Sequence, residues 1–249
     1  MKRILEVCID TVESGIIAES AGADRVELCD NLAEGGTTPS LGTARCAIRN
    51  LKIPVNIIIR PRGGDFLYTG FDFEIMEEEI HIAREEGVNG VVLGVLQANG
   101  HVDIERTAGL VQLARPMQVT FHRAFDMTPD PFDALEEVII TGADRLLTSA
   151  HDNFVYNNAR LLRELIERAA GRIIIMPGAG INENNIADII NKTNASEYHL
   201  TGRKQVVSLM QYRKENISMG GSGEHPEYSR KYASRDIIHK VRKIIDSYN

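Results

Sequence analysis

The sequence predicts an α/β fold, a single TIM (β/α)8 barrel over residues 1–249 with an extended segment after its eighth strand. Three observations predict it: a repeated helix-to-strand junction, eight short apolar runs separated by helical patterns, and long loops at one end of the strands only. The 249 residues are 43% hydrophobic and 25% charged, an ordinary globular composition in a chain long enough for one such barrel.

The repeated junction marks where helices end and strands begin. Residues 21–28 (Ala-Gly-Ala-Asp-Arg-Val-Glu-Leu) recur as residues 141–148 (Thr-Gly-Ala-Asp-Arg-Leu-Leu-Thr), and residues 87–93 are a weaker copy. In each copy a glycine follows a helical pattern, which is typical of a left-handed residue after a helix. A short apolar run then follows, as in a buried strand. Each copy therefore predicts the end of a helix followed by a strand.

Eight strands follow from these junctions, with a helical pattern between every successive pair. Asp130 and Pro131 predict the start of one helix, which Gly142 ends, and Ser234 predicts the start of the last. Eight such units imply parallel strands, which close most naturally into a barrel. An open doubly wound sheet is the alternative, but no Gly-x-Gly-x-x-Gly follows the first strand, so we predict no nucleotide cofactor. The predicted strands cover residues 3–8, 25–29, 55–60, 90–94, 118–122, 145–148, 173–176 and 197–201.

The loops indicate where function lies. Links from helix to strand are short, whereas links from strand to helix are long, and in a TIM barrel the long set gathers at the carboxyl ends of the strands. The longest, residues 202–233, is expected to be a lid, an oligomer arm or a disordered segment at that face. The other long links are 30–39, 61–71, 123–129 and 149–156.

Composition excludes several classes of protein. The net charge of −7 offers no basic surface for nucleic acid or for an anionic membrane. No apolar run approaches the roughly 18 residues of a membrane span, and Glu6 and Asp10 interrupt the first run too early for a signal peptide. We therefore expect a cytoplasmic protein. Three cysteines argue against a disulfide framework, and Cys46 falls in a helical stretch where it is expected to pack.

Strand alternation places polar side chains inside the barrel. In strands one and two, one set of alternating residues is wholly apolar and suits the layer beneath the helices. The other set then faces the axis, with Glu6 and Cys8 beside Arg25, Glu27 and Cys29. The same alternation places further side chains inside or at the upper rim: Asn56, Arg60, Thr120, His122, Arg145, His199 and Thr201.

Two interpretations of this polar interior are open. Arg25, Arg60 and Arg145 could neutralise Glu6 and Glu27 in a structural ion network, since buried charges are costly unless paired. Alternatively, the interior forms a polar cavity for a small anionic or metal ligand.

Three candidate subsites follow. Cys8 and Cys29 would present two thiolates, the soft pair that selects Cu(I), although buried cysteines also serve as small apolar side chains. His122 and His199 with Glu6 and Glu27 could hold a harder divalent metal or transfer protons. The turns after strands seven and eight could bind phosphate through backbone N–H groups, or could simply be tight turns. The residues of the third subsite are Gly178, Gly180, Thr201 and Gly202.

Several blocks resemble the CutC family. They are residues 22–29 (Gly-Ala-Asp-Arg-Val-Glu-Leu-Cys), 34–40, 59–66 (Ile-Arg-Pro-Arg-Gly-Gly-Asp-Phe) with Tyr68, 121–126, 143–149 and the turn at 178–180. Ala150 and Ala179 depart from the pattern, where family members often have glycine. The resemblance implies a cytoplasmic TIM-barrel protein that forms a homo-oligomer, dimer or higher, and whose family name links it to copper homeostasis.

Two hypotheses result. In the first, the protein takes part in copper homeostasis and binds Cu(I) through Cys8 and Cys29. In the second, it is a lyase, isomerase or hydrolase acting on a small carboxylate or phosphate, which Arg60 and Arg62 bind while His122 or Glu27 moves a proton. The partner is thus a copper ion or a small anion. The rim residues that resemble an active site are Arg60, Arg62, Asp65, His122, Arg123 and Asp126.

Overall fold

The computed structural model describes residues 2–214, 216–217 and 227–249. Strands and helices alternate along almost all of this length. In chain order they are β1 (Ile4–Ile9), α1 (Val12–Ser20), β2 (Arg25–Leu28), α2 (Leu41–Asn50), β3 (Val55–Ile58), α3 (Gly70–Glu85), β4 (Gly90–Leu93), α4 (Ile104–Ala114), β5 (Gln118–Phe121), α5 (Pro131–Ile140), β6 (Arg145–Thr148), α6 (Ala159–Ala169), β7 (Ile174–Pro177), α7 (Ile186–Thr193), β8 (Glu197–Leu200), β9 (Arg203–Val207), β10 (Ser229–Ala233) and α8 (Arg235–Asp246).

The first eight strands form one parallel sheet that curls into a nearly closed barrel. Hydrogen bonding joins them in the order β7-β6-β5-β4-β3-β2-β1-β8, and β7 and β8 at the two ends lie side by side. This confirms the predicted TIM-barrel fold, with strand limits within two residues of those expected. Because all eight strands run the same way, their carboxyl ends share one face of the molecule.

The repeated junctions have the backbone that their glycines predict. Gly22, Gly87 and Gly142 follow α1, α3 and α5 with φ of +96°, +77° and +79°. Each residue ends a helix in the left-handed region, which glycine adopts without steric cost. At the start of α5, the side chain of Asp130 accepts hydrogen bonds from the N–H groups of Phe132 and Asp133, as expected of an N-cap.

The strands of the barrel carry apolar side chains on both their outer and inner faces. Leu5, Val7 and Ile9 of β1 are fully buried in the large core beneath the helices. Inside the barrel, Cys8 and Cys29 pack with Ile58 and Val92 in a separate small cluster. The predicted alternation of β1 and β2 is therefore confirmed, and it directs both thiols to the barrel interior.

The segment after β8 contains an antiparallel hairpin that the sequence analysis did not predict. Arg203 of β9 pairs with Ala233 of β10, and Val207 pairs with Ser229. Residues 215 and 218–226, which include the glycine-rich stretch of the expected lid or arm, lie outside the described residues. Within the described part of the chain, no helix is long and apolar enough to cross a membrane.

Candidate functional site

An ion network fills the lower part of the barrel. Arg25 of β2 donates to the carboxylates of Glu6 and Glu197, and Arg145 Nε lies 2.6 Å from Glu197 Oε2. All four side chains are buried, and a buried charge without a partner would be strongly destabilising. The structural interpretation of Arg25, Arg145 and Glu6 therefore describes this layer, in which Glu197 is the shared partner of the two arginines.

Glu197 was not singled out from the sequence, although a signal was present. It precedes His199 by two residues in β8, so strand alternation puts both side chains on the inner face. His199 Nδ1 lies 2.8 Å from Glu6 Oε1, which links the ion network to the layer above it.

The two predicted thiols meet just above the network. Cys8 Sγ lies 3.7 Å from Cys29 Sγ, and both residues are buried. On the other side of Cys8, His199 Nε2 lies 3.5 Å from Glu27 Oε2. One ligand atom from each of Cys8, Glu27 and His199 lies within 4.8 Å of the others. The structure thus brings the predicted thiol pair together with Glu27 and His199. These are two of the four residues predicted to hold a divalent metal or to transfer protons.

Electrostatics polarise this cluster. The hydrogen bond with Cys29 lowers the pKa of the Cys8 thiol to about 5, against the opposing effect of burial. The same hydrogen bond raises the pKa of Cys29. Burial, together with negative charge at Cys8, raises the pKa of Glu27. Cys8 is therefore the more acidic of the two thiols, whereas Cys29 and Glu27 hold their protons more tightly than usual.

His199 and Glu6 carry the compensating charges. Burial would lower the pKa of His199, but its hydrogen bonds to Cys8 and Glu6 raise it well above its ordinary value. Burial would raise the pKa of Glu6, but the charge of Arg25 and the hydrogen bond with His199 hold it far below its usual range. These hydrogen bonds hold the His199 ring between Glu6 and Cys8.

His122 lies at the end of β5, apart from the metal-ligand cluster. It is 4% exposed, and its Nδ1 accepts a hydrogen bond of 3.2 Å from the N–H of Ala124. Burial lowers the pKa of His122 to about 3, and the nearby charge of Arg60 adds to the effect. His122 is therefore a neutral imidazole whose proton is on Nε2.

Arg60 does not join the ion network. Its two terminal nitrogens donate to the carbonyl oxygens of Glu34, Gly36 and Gly64 at 2.7–2.9 Å, and so hold the loops after β2 and β3. Its side chain lies against the ring of Phe66, with Cζ 5.2 Å from the ring centroid.

Arg62 and Asp65 lie away from the barrel axis. Arg62 Nε lies 3.2 Å from Asp72 Oδ2, and its other nitrogens donate to Asp65 and to carbonyl oxygens of the same loop. The guanidinium is held by its own loop, and Arg62 is not among the described residues that line the cavity at the carboxyl face.

Asp126 and Arg123 organise the rim. Asp126 accepts hydrogen bonds from the N–H of Ser149 at 3.0 and 3.1 Å, and Arg123 Nε donates to it at 2.8 Å. These bonds tie the loop after β5 to the loop after β6.

A cavity of about 380 Å³ opens above the cluster at the carboxyl face. It brings together most of the predicted site residues, including Gly180 and Thr201. Gly178 instead packs against Leu147, and Gly202 against Ile238. Sequence reasoning missed Leu32, Phe66 and Met127, because they lie in loops without strand alternation. Among the described residues, the polar lining consists of Cys8, Glu27, Glu34, Arg60, His122, Arg123, Asp126, His199, Thr201 and Arg203.

Comparison with known proteins tests the predicted resemblance to the CutC family. The CutC family model matches residues 3–204. A Mus musculus protein named copper homeostasis protein cutC homolog is 44% identical over 97% of this chain and 88% of its own length. A CutC family protein of Chromobacterium violaceum is 47% identical over 99% of both chains.

Solved structures show the same fold. The crystal structure of a CutC protein from Streptococcus agalactiae is 35% identical, with a TM-score of 0.76 over 80% of this chain and 98% of that one. A phosphoribosylanthranilate isomerase from Thermotoga maritima shares the barrel at 16% identity and a TM-score of 0.59. The family match over most of the length, together with these relatives, shows that the chain belongs to the CutC family.

Proposed function

We propose that this protein takes part in copper homeostasis and binds Cu(I) through Cys8 and Cys29. The observation that carries the proposal is the 3.7 Å separation of the two buried sulfur atoms on adjacent strands. A pair of soft sulfur ligands favours Cu(I) over harder divalent ions. The names of the mammalian relatives support the same role.

His199 supplies the third donor. Its Nε2 faces Cys8 and Glu27, while Glu6 fixes the orientation of the ring through Nδ1. This second hydrogen bond is the usual way in which proteins orient a histidine ligand. Glu27 is the harder donor of the cluster, and a site built on Cys8, Glu27 and His199 would suit Zn²⁺ instead.

The chemistry of the site implies a reducing compartment. All three cysteines are free, and Cu(I) with thiol ligands requires that they stay reduced. We therefore propose that the protein works in the cytoplasm. We also propose that it forms a homo-oligomer, which the exposed apolar side chains after β9 support: Leu209, Met210 and Tyr212.

An anaerobic Cu(I) competition titration tests the metal proposal. The reduced protein is titrated against a chelator beside Cys8→Ser, Cys29→Ser and the control Cys46→Ser. The prediction that Cys46 packs is wrong, since it is exposed on α2. We expect one tightly bound Cu(I) per chain, with affinity reduced at least about 100-fold in the first two variants and unchanged in the control.

The same variants define the results that would contradict the copper proposal. Cu(I) binding that is indifferent to Cys8 and Cys29 would reject the proposal. So would Zn²⁺ binding that is insensitive to Cys29→Ser but lost in Glu27→Gln, because that pattern belongs to the Cys8, Glu27 and His199 set.

A further inference from the structure

Among the described residues, Arg60 is a buried cation without a carboxylate partner. The other two arginines of the cavity are paired, Arg123 with Asp126 at 2.8 Å and Arg203 with Asp10 at 3.3 Å. Arg60 is 5% exposed and donates to three backbone carbonyl oxygens, while its Nε has no hydrogen-bond partner in the described part of the chain. A buried charge in this state is costly, and a bound anion would offset that cost.

His122 lines the same cavity and carries a second unpartnered donor among the described residues. The N–H of Ala124 donates to Nδ1, so the ring proton is on Nε2. Among the described residues Nε2 has no hydrogen-bond acceptor, although His122 is 4% exposed. An orphaned buried donor that lines a cavity indicates where an acceptor atom of a ligand would lie.

Arg60 and His122 both lie against the ring of Phe66. Phe66 lies with its centroid 5.2 Å from Arg60 Cζ and 5.0 Å from the centroid of the His122 ring. Much of the remaining lining is apolar: Leu32, Ile58, Met127, Leu147, Ile181 and Leu200. A cavity of about 380 Å³ with a cation, a neutral donor and apolar walls suits a small organic molecule that carries one anionic group.

We propose that the mouth of the barrel binds a small organic oxyanion, a carboxylate or phosphate on an apolar body, whose charged group lies at Arg60 and accepts a hydrogen bond from His122 Nε2. This site is separate from the thiol pair and does not depend on copper. It keeps the ligand class of the enzyme hypothesis and assigns its binding to Arg60 and His122, which both line the cavity.

The test uses three small probes and copper-free protein kept with a Cu(I) chelator. Benzoate and phenyl phosphate carry the two oxyanions on an aromatic body, and benzyl alcohol is their neutral analogue. Binding is measured by calorimetry to wild-type protein, to His122→Asn and to the control His151→Asn. His151 lies in the loop after β6 and does not line the cavity.

His122→Asn is chosen because it removes Nε2 and can keep the local hydrogen bond of the turn. An asparagine oxygen can still accept the hydrogen bond of the Ala124 N–H, so the turn after β5 keeps its cap while Nε2 is lost. We expect at least one of the two anions to bind wild type and His151→Asn equally, and His122→Asn about tenfold more weakly. Benzyl alcohol should bind weakly to all three proteins.

A direct readout accompanies the titrations. Addition of the bound anion to wild-type protein should shift the ¹⁵N resonance of His122 Nε2, whereas the resonances of His151 should stay in place. The proposal is overturned if neither anion binds, if His122→Asn binds the anions as well as wild type does, or if benzyl alcohol binds as tightly as they do.

Discussion

Glu79 shows how one carboxyl group can make the stability of the barrel depend on pH. It lies on α3, and its Oε2 accepts a hydrogen bond of 2.7 Å from Thr38, whose hydroxyl accepts one of 2.8 Å from the N–H of Arg60. Burial raises the pKa of Glu79 to about 7, although the bond from Thr38 opposes the shift. The folded state therefore holds this proton more tightly than the unfolded chain does.

The Glu79 proton stabilises the folded state at low pH and not at high pH. Stabilisation from the Glu79 proton is complete below the unfolded pKa of 4.5 and is lost as pH rises through about 7. Glu79→Gln, which mimics the protonated acid, should therefore match wild type at pH 5 and exceed its free energy of unfolding at pH 8. The gain should be about 1–2 kcal/mol, allowing for partial exposure. Urea unfolding at both pH values measures it.

The exposed neighbour Glu78 provides a control. Glu78→Gln should leave the pH dependence of unfolding unchanged, because that side chain is exposed. Parallel curves for Glu79→Gln and wild type between pH 5 and 8 would contradict the assignment.

Side chains on strands were the most predictable part of the site. Alternation sufficed for Cys8 and Glu27, because a strand fixes the side on which each residue lies. Arg60 was placed at the rim, but its long side chain turned to loop carbonyls, and no sequence period encodes that choice. Phe66 contacts both Arg60 and His122 from a loop, where position depends on tertiary packing alone.

At the scale of elements, the end of α6 shows backbone strain. Ala170 follows this helix with φ of +49°, and its side chain is exposed. A left-handed alanine costs roughly 1 kcal/mol, which glycine avoids. Ala170→Gly should therefore raise the free energy of unfolding by about 0.5–1 kcal/mol, measured by urea denaturation.

A glycine within a helix should act in the opposite direction. Ala108→Gly, in the interior of α4, is expected to lower the free energy of unfolding by about 1 kcal/mol. Equal losses in both variants would show that Ala170 is not strained. Ala150 and Ala179, the two departures from the family pattern, also have positive φ, of 59° and 72°.

Strands were predictable only where they have a buried face. The eight barrel strands carry apolar runs because they are covered by helices. Most residues of β9 are exposed, and among the described residues this strand pairs with β10 alone. It therefore lacks the apolar signal that predicts a strand, and the whole segment from 202 to 233 was expected to be a loop or an arm.

At the scale of the whole molecule, the chain is expected to associate with copies of itself. Leu209 is 98% exposed and Tyr212 is 68% exposed, an apolar surface that a monomer rarely leaves free. Light scattering should give the mass of a dimer or a larger assembly. The double variant Leu209→Ser with Tyr212→Ser should reduce that mass to a monomer at micromolar concentration.

Phe71 tests whether the effect is local. It is 77% exposed on α3, so Phe71→Ser removes comparable apolar area elsewhere and should leave the mass unchanged. A monomeric wild type would contradict the proposal, as would an assembly that only Phe71→Ser disrupts.

The ion network has a consequence for traffic through the barrel. Arg25, Arg145 and Glu197 fill the barrel below Cys8, so within the described part of the chain Cys8 is approached through the cavity that Arg60 and His122 line. A metal ion at the thiols and an organic anion at the opening would share this route, so the ion could leave only after the anion. An organic acid held at the opening would slow the departure of an ion bound beneath it, so metabolite concentration would set the residence time of the metal.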